Sequence, residues 1–220
     1  MSTKIKFIAA LAVSALLLAA SANAGILENH PLAYNNGSGP FGGAWTGSDV
    51  YDNGMASPEH LVGDLDFSVF TVANFNTAFP GSGYVPGVGD GLIYAYQLEN
   101  QGDFLVSAQI VGISNVANAI GSFLYAAGDV APTGQSFDIS GNANWDFSGD
   151  NIGTNEDSYI LVFSSPNIPE LGTGVGVTVD GGTFGLTTVP TPSATPLPEP
   201  GTLSLLLVGA FGLLSRRRLS

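Results

Sequence analysis

The side chains of this chain that could do chemistry are its carboxylates, two histidines and a set of large aromatics. Asp64-Leu65-Asp66 places two carboxylates on one side of an extended backbone, and Asp146, Asp150, Glu156 and Asp157 crowd the stretch from Trp145 to Ser158. Oxygen-rich turns of this kind are what calcium takes, with six to eight ligands from carboxylates and carbonyls. The calcium-loop pattern D-x-[DN]-x-[DN]-G closing on Glu is missing, however. Its nearest approach, Asp49-Val50-Tyr51-Asp52-Asn53-Gly54, has Tyr51 at a ligand position and His60 where the closing Glu belongs. Carboxylates in Asn/Gly turns mostly build the turn and stay solvated. No metal ligand set and no cofactor is therefore expected, calcium being the one ion these turns could take.

Catalysis has less to work with. The chain has no cysteine, hence no thiol nucleophile and no disulfide. A Ser-His-Asp arrangement would need His30 or His60, and no G-x-S-x-G elbow accompanies either. Residues 7–215 hold no Lys or Arg to steady a developing negative charge. Two carboxylates could cleave a glycosidic bond, but no spacing singles out a pair. The chain is expected to be no enzyme, with no catalytic residue. Trp45, Trp145, Tyr94, Tyr96, Tyr125 and Tyr159 suit strand interiors. The alternative is a stacking platform for sugar rings, centred on Trp145 beside its acidic loop, which would make the body a carbohydrate-binding module.

The elements that carry these residues are framed by an unusual charge distribution. Of 18 acidic residues all but Glu199 lie between 25 and 195, and the net charge is −13. Such a body repels polyanions and has nothing with which to neutralise phosphates, so nucleic acid is excluded as a partner. The five cations sit at the two ends, Lys4 and Lys6 at one and Arg216, Arg217 and Arg218 at the other. Lys4 and Lys6, the apolar Phe7–Ala20 and the small-residue exit Ala22-Asn23-Ala24 make a secretory signal peptide, residues 1–24, cut before Gly25. The expected signal-peptidase site is thus Ala22, Ala24 and Gly25. At the far end, Pro198-Glu199-Pro200 precedes an uncharged run, Thr202–Leu214. As a helix that run is about 20 Å long, short of a hydrocarbon core of about 30 Å. The arginines behind it should stay cytoplasmic and leave everything earlier outside.

A Pro-Glu-Pro element, a short apolar helix and an arginine cluster at the C-terminus resemble the PEP-CTERM sorting signal of Gram-negative surface proteins. Residues 198–220 carry the likeness: motif 198–200, helix 202–214 and basic tail 216–218. The resemblance implies an exosortase as processing partner, with Pro198, Glu199 and Pro200 as its recognition element. It implies transient inner-membrane anchoring, then residence at the cell surface or in an exopolysaccharide matrix. The apolar run is shorter than a span ordinarily requires.

Between the two ends, residues 25–188 read as an all-β body. Phe67-Val69-Thr71-Ala73-Phe75 and Leu92-Tyr94-Tyr96-Leu98 alternate with period two, and about nine such short segments are separated by Gly, Asn, Asp and Pro turns. No apolar stripe of helical period appears in the body. The expected architecture is an antiparallel β-sandwich or jelly roll. Residues 189–197, rich in Pro, Thr and Ser, read as an extended stalk. The function expected from the whole is that of an exported, non-enzymatic surface or matrix protein.

Overall fold

The computed structural model describes residues 25–56, 60–103, 105–112, 117–138, 141–179 and 184–197. The signal peptide and the sorting signal expected from the sequence lie outside these residues. Within them the chain is all-β with one short helix. Strands β1 (Asn35–Gly39) and β2 (Gly43–Ala44) form a small ribbon. The rest make one eleven-stranded sheet. In chain order these are β3 (Thr46–Asp52), β4 (Val62–Thr71), β5 (Leu92–Asn100), β6 (Val106–Gly112), β7 (Ala119–Phe123) and β8 (Gly134–Phe137). They continue with β9 (Asn142–Asp146), β10 (Glu156–Asp157), β11 (Ile160–Ser165), β12 (Asn167–Val179) and β13 (Phe184–Pro196). The order across the sheet is β7-β11-β5-β4-β3-β13-β12-β6-β9-β8, with β10 added beside β5, and every strand pair is antiparallel.

The sheet curls until its two ends meet. Trp145 of β9 donates its indole N–H to the carbonyl of Gly121 on β7 at 3.0 Å. Alternation then builds two cores, one on each face of the first half. Leu65, Phe67 and Val69 of β4, Leu92, Tyr94, Tyr96 and Leu98 of β5, and Leu161 and Phe163 of β11 point inward to meet Trp145 and Val189. The intervening residues Phe70, Ile93, Ala95, Ile160 and Val162 face the other way, under Leu27, Phe75, Phe79 and Phe123. Each fully buried large side chain contributes about 1.5–3 kcal/mol. With no Lys or Arg in the body, packing and backbone pairing carry the stability. Among the described residues the one charge pairing is His60 Nε2 against Asp52 at 3.3 Å, an ion pair only when the imidazole is protonated.

Two expectations are corrected. The alternation expected to run through Phe75 stops at Thr71, whose hydroxyl accepts from the Asn74 N–H and caps helix α1 (Val72–Ala78). The helix seats Phe75 in the second core. Residues 189–197 are no stalk. They continue β13 to Pro196 alongside β12, and Val189, Thr191 and Ser193 are buried. Prolines fit there because β13 meets β3 through the single pair Leu186–Asp52, so most of its second ladder side needs no N–H.

Candidate functional site

Two neighbourhoods make up the site, one around Gly25 and one around Leu197. At the start, Gly25 is the first described residue. Its carbonyl accepts from the Glu28 N–H at 3.1 Å, closing a tight turn. Leu27 is fully buried, and its carbonyl accepts from the hydroxyls of Thr46 and Ser68, both 0–3% exposed. His30 follows, its ring edge-on to Phe70 with centroids 4.9 Å apart and its Nδ1 accepting from the Leu32 N–H. Burial lowers the pKa of this imidazole and keeps it neutral.

Gly25 presses on Asp66. A β-carbon at position 25 would coincide with Asp66 Oδ2, so only glycine fits without moving the carboxylate. Asp66 stands on the outer face of β4, opposite Ser48 and Gln97 in the register. Burial pushes its carboxyl up to about 6, with Glu28, Asp64 and Glu99 adding to the rise and a hydrogen bond from Ser48 opposing it. Beside it a carboxylate row crosses three strands, with Asp64 paired to Glu99 and Glu99 to Asp157. Burial, then Glu99 and Asp129, push Asp157 to about 6 as well.

At the other end, β13 finishes at Pro196, and the Leu197 N–H donates to the Pro166 carbonyl at 2.7 Å. Leu197 packs over Gly91, at the base of the loop between α1 and β5. Tyr84 O–H to the Ala119 carbonyl (3.1 Å) and Gly87 N–H to Ser164 Oγ (2.9 Å) fix that loop. Asp90, its only charged residue, is held by Ser164 and Asn118. The loop exposes Val85 (76%) and Val88 (105%).

No protein-family model, no curated protein and no solved structure matches this chain.

The remaining candidates go to structural roles. Trp145, Trp45, Tyr94 and Tyr96 are buried, Tyr94 stacked on Phe163 at 5.0 Å, so they are core and present no face to a sugar. Tyr125 is exposed but stands alone among the six in that respect. Asp49 accepts from the Thr187 hydroxyl and the Thr188 N–H, both at 2.7 Å, and so clamps β3 to β13. Asp52 accepts from the Gly54 N–H and lies against His60. Asp146 caps the Ser148 N–H. Among the described residues no three His, Asp or Glu side chains converge on a point that could hold a metal ion. Nor is any described helix long and apolar enough to cross a membrane. Of the expected handling residues, Gly25 is described, while Ala22, Ala24, Pro198, Glu199, Pro200, Arg216, Arg217 and Arg218 lie outside. Nothing local announced the Gly25–Asp66 contact, because residues 25–34 show no periodicity that would seat them on β4.

Proposed function

We propose that this chain is an exported, non-enzymatic surface or matrix protein, sorted by a C-terminal PEP-CTERM-type signal. Signal peptidase removes residues 1–24, Thr202–Leu214 holds the body at the inner membrane with the arginines inside, and an exosortase acts at Pro198-Glu199-Pro200. The body then resides at the cell surface or in an exopolysaccharide matrix, where it serves as a structural or adhesive component. For the body we propose a β-sandwich of jelly-roll character, a reading supported by the meeting of the sheet's ends at Trp145 and Gly121.

The observation that carries the functional reading is the ordered tail: Pro-Glu-Pro, an uncharged run and three arginines, behind a body otherwise free of Lys and Arg. The end of β13 at Pro196 supports it, since a single residue, Leu197, separates that strand from Pro198. Replacing Pro198-Glu199-Pro200 by alanines, and separately Arg216–Arg218 by glutamines, tests it. The expected outcome is loss of processing in the first variant and loss of membrane retention in the second, read by fractionation and intact mass. Unchanged location and mass in both would overturn the reading.

A further inference from the structure

We propose that removal of residues 1–24 installs a charge latch, in which the new α-ammonium of Gly25 pairs with the Asp66 carboxylate and fastens the start of the mature chain to β4. The inference rests on the maturation reading above and adds what the cut does to the fold. In the uncut chain the nitrogen of Gly25 is a peptide N–H. After the cut between Ala24 and Gly25 the same atom carries a positive charge.

Its position is set by the structure. The site of a β-carbon on Gly25 coincides with Asp66 Oδ2. The nitrogen of a residue lies about 2.5 Å from its β-carbon, which puts this one within about 4 Å of that oxygen. There is little slack, because Leu27 is fully buried and its carbonyl is held by Thr46 and Ser68. The groups facing Asp66 are the Ser48 hydroxyl from β3, Asp64 on β4, Glu99 on β5 and Glu28 from the N-terminal turn. Every charged one is anionic. The body supplies no Lys or Arg, so apart from the two histidines the α-ammonium, ordinarily titrating at about 8, is the one cation available between residues 25 and 197.

The latch reverses the electrostatics of this carboxylate. Without the ammonium, Asp66 sits near 6 in the folded chain against 3.8 ordinarily. A carboxyl raised in this way contributes stability below about pH 4 that is lost as pH rises through about 6. An opposite charge within about 4–6 Å favours the ionised carboxylate and drives its pKa down. The mature chain then holds the contribution at neutral pH and loses it only on acidification. Cutting would thus convert a fold that is penalised at neutral pH into one that is supported there.

The mature chain contains no lysine, so its α-amine is its only primary amine and can be modified alone. Intact mass of the exported protein fixes its first residue. Acetylation with an amine-reactive reagent then removes the charge, while reductive methylation blocks the amine and keeps it. We expect acetylation to lower the thermal midpoint at neutral pH and to move the Asp66 carboxyl titration, followed by carbon NMR, up to near 6. Methylation should do neither, and in Asp66→Asn acetylation should lose its effect on the midpoint. A wild-type chain starting at Gly25 whose midpoint and Asp66 titration ignore acetylation overturns the latch and leaves the sorting reading standing. A first residue other than Gly25 overturns the proposed cut and the latch together.

Discussion

Asp157 shows how this body responds to acid once the N-terminus is set aside. It lies half exposed on β10, and burial with Glu99 and Asp129 raises its carboxyl from 3.8 to about 6. The unfolded chain returns it to its ordinary value. Its protonated form is therefore favoured by folding: the contribution is complete below about pH 4 and is lost as pH climbs through 6. Asp157→Asn removes the repulsion. We expect its thermal midpoint at pH 7 to rise by about 1–2 °C, modest because solvent screens the site, with a flatter pH dependence between 4 and 6. A midpoint unchanged at pH 7 would show that the row Asp64–Glu99–Asp157 is fully screened. Asp49 teaches the complementary lesson. Its sequence neighbours approximate a calcium loop, yet its carboxylate is already committed to Thr187 and Thr188. A motif read from local spacing cannot reveal a partner 138 residues away.

Elements differ in how far sequence discloses them. The alternation in β4, β5 and β11 was legible because each has apolar residues on both faces, and the structure shows two cores using both sets. Helix α1 was hidden because Ala73 and Phe75 prolong the strand rhythm of Phe67, Val69 and Thr71 by coincidence. The only local sign was a threonine able to cap. β13 was hidden by composition: proline, threonine and serine read as a tether, although Val189 lies wholly buried against the main core. The correction makes a prediction. A stalk can be shortened without harm, whereas removing residues 189–197 takes away more than half of β13, the Tyr96 hydroxyl's acceptor at Pro190 and the Val189 side chain. We expect residues 25–188 alone to lack a cooperative unfolding transition in circular dichroism, and residues 25–197 to show one. A native-like transition in the shorter chain would restore the stalk.

For the molecule as a whole, the two ends of β4, β5 and β11 are unlike. One end carries Asp64, Glu99 and Asp157 in register. The other carries the exit at Leu197 and the loop that displays Val85 and Val88. Thr202 lies five positions after Leu197, a reach of at most about 17 Å. In the anchored state proposed above, the uncharged valine tip is therefore held at the bilayer surface and the carboxylate row away from it. The absence of cysteine permits single labels. A polarity-sensitive dye on Val88→Cys should be quenched by lipid-borne quencher in phosphatidylcholine vesicles carrying the full chain, and one on Val50→Cys should not. Equal quenching at both sites would discard this orientation.

The last described strand to leave the ribosome is also the one that joins β3 to β12. Until residues 184–196 have emerged, Asp49 has no clamp, Tyr96 has no acceptor, and no strand joins β3 to β12. Contacts that wait so long for their partner make a slow folder, and in the export proposed above slowness is of use. A channel that passes only unfolded chain would then receive one, because β13 completes the sheet only after nearly all of the body has crossed. The uncharged run Thr202–Leu214 begins six positions after the end of β13. Translocation would then halt at almost the moment that folding becomes possible.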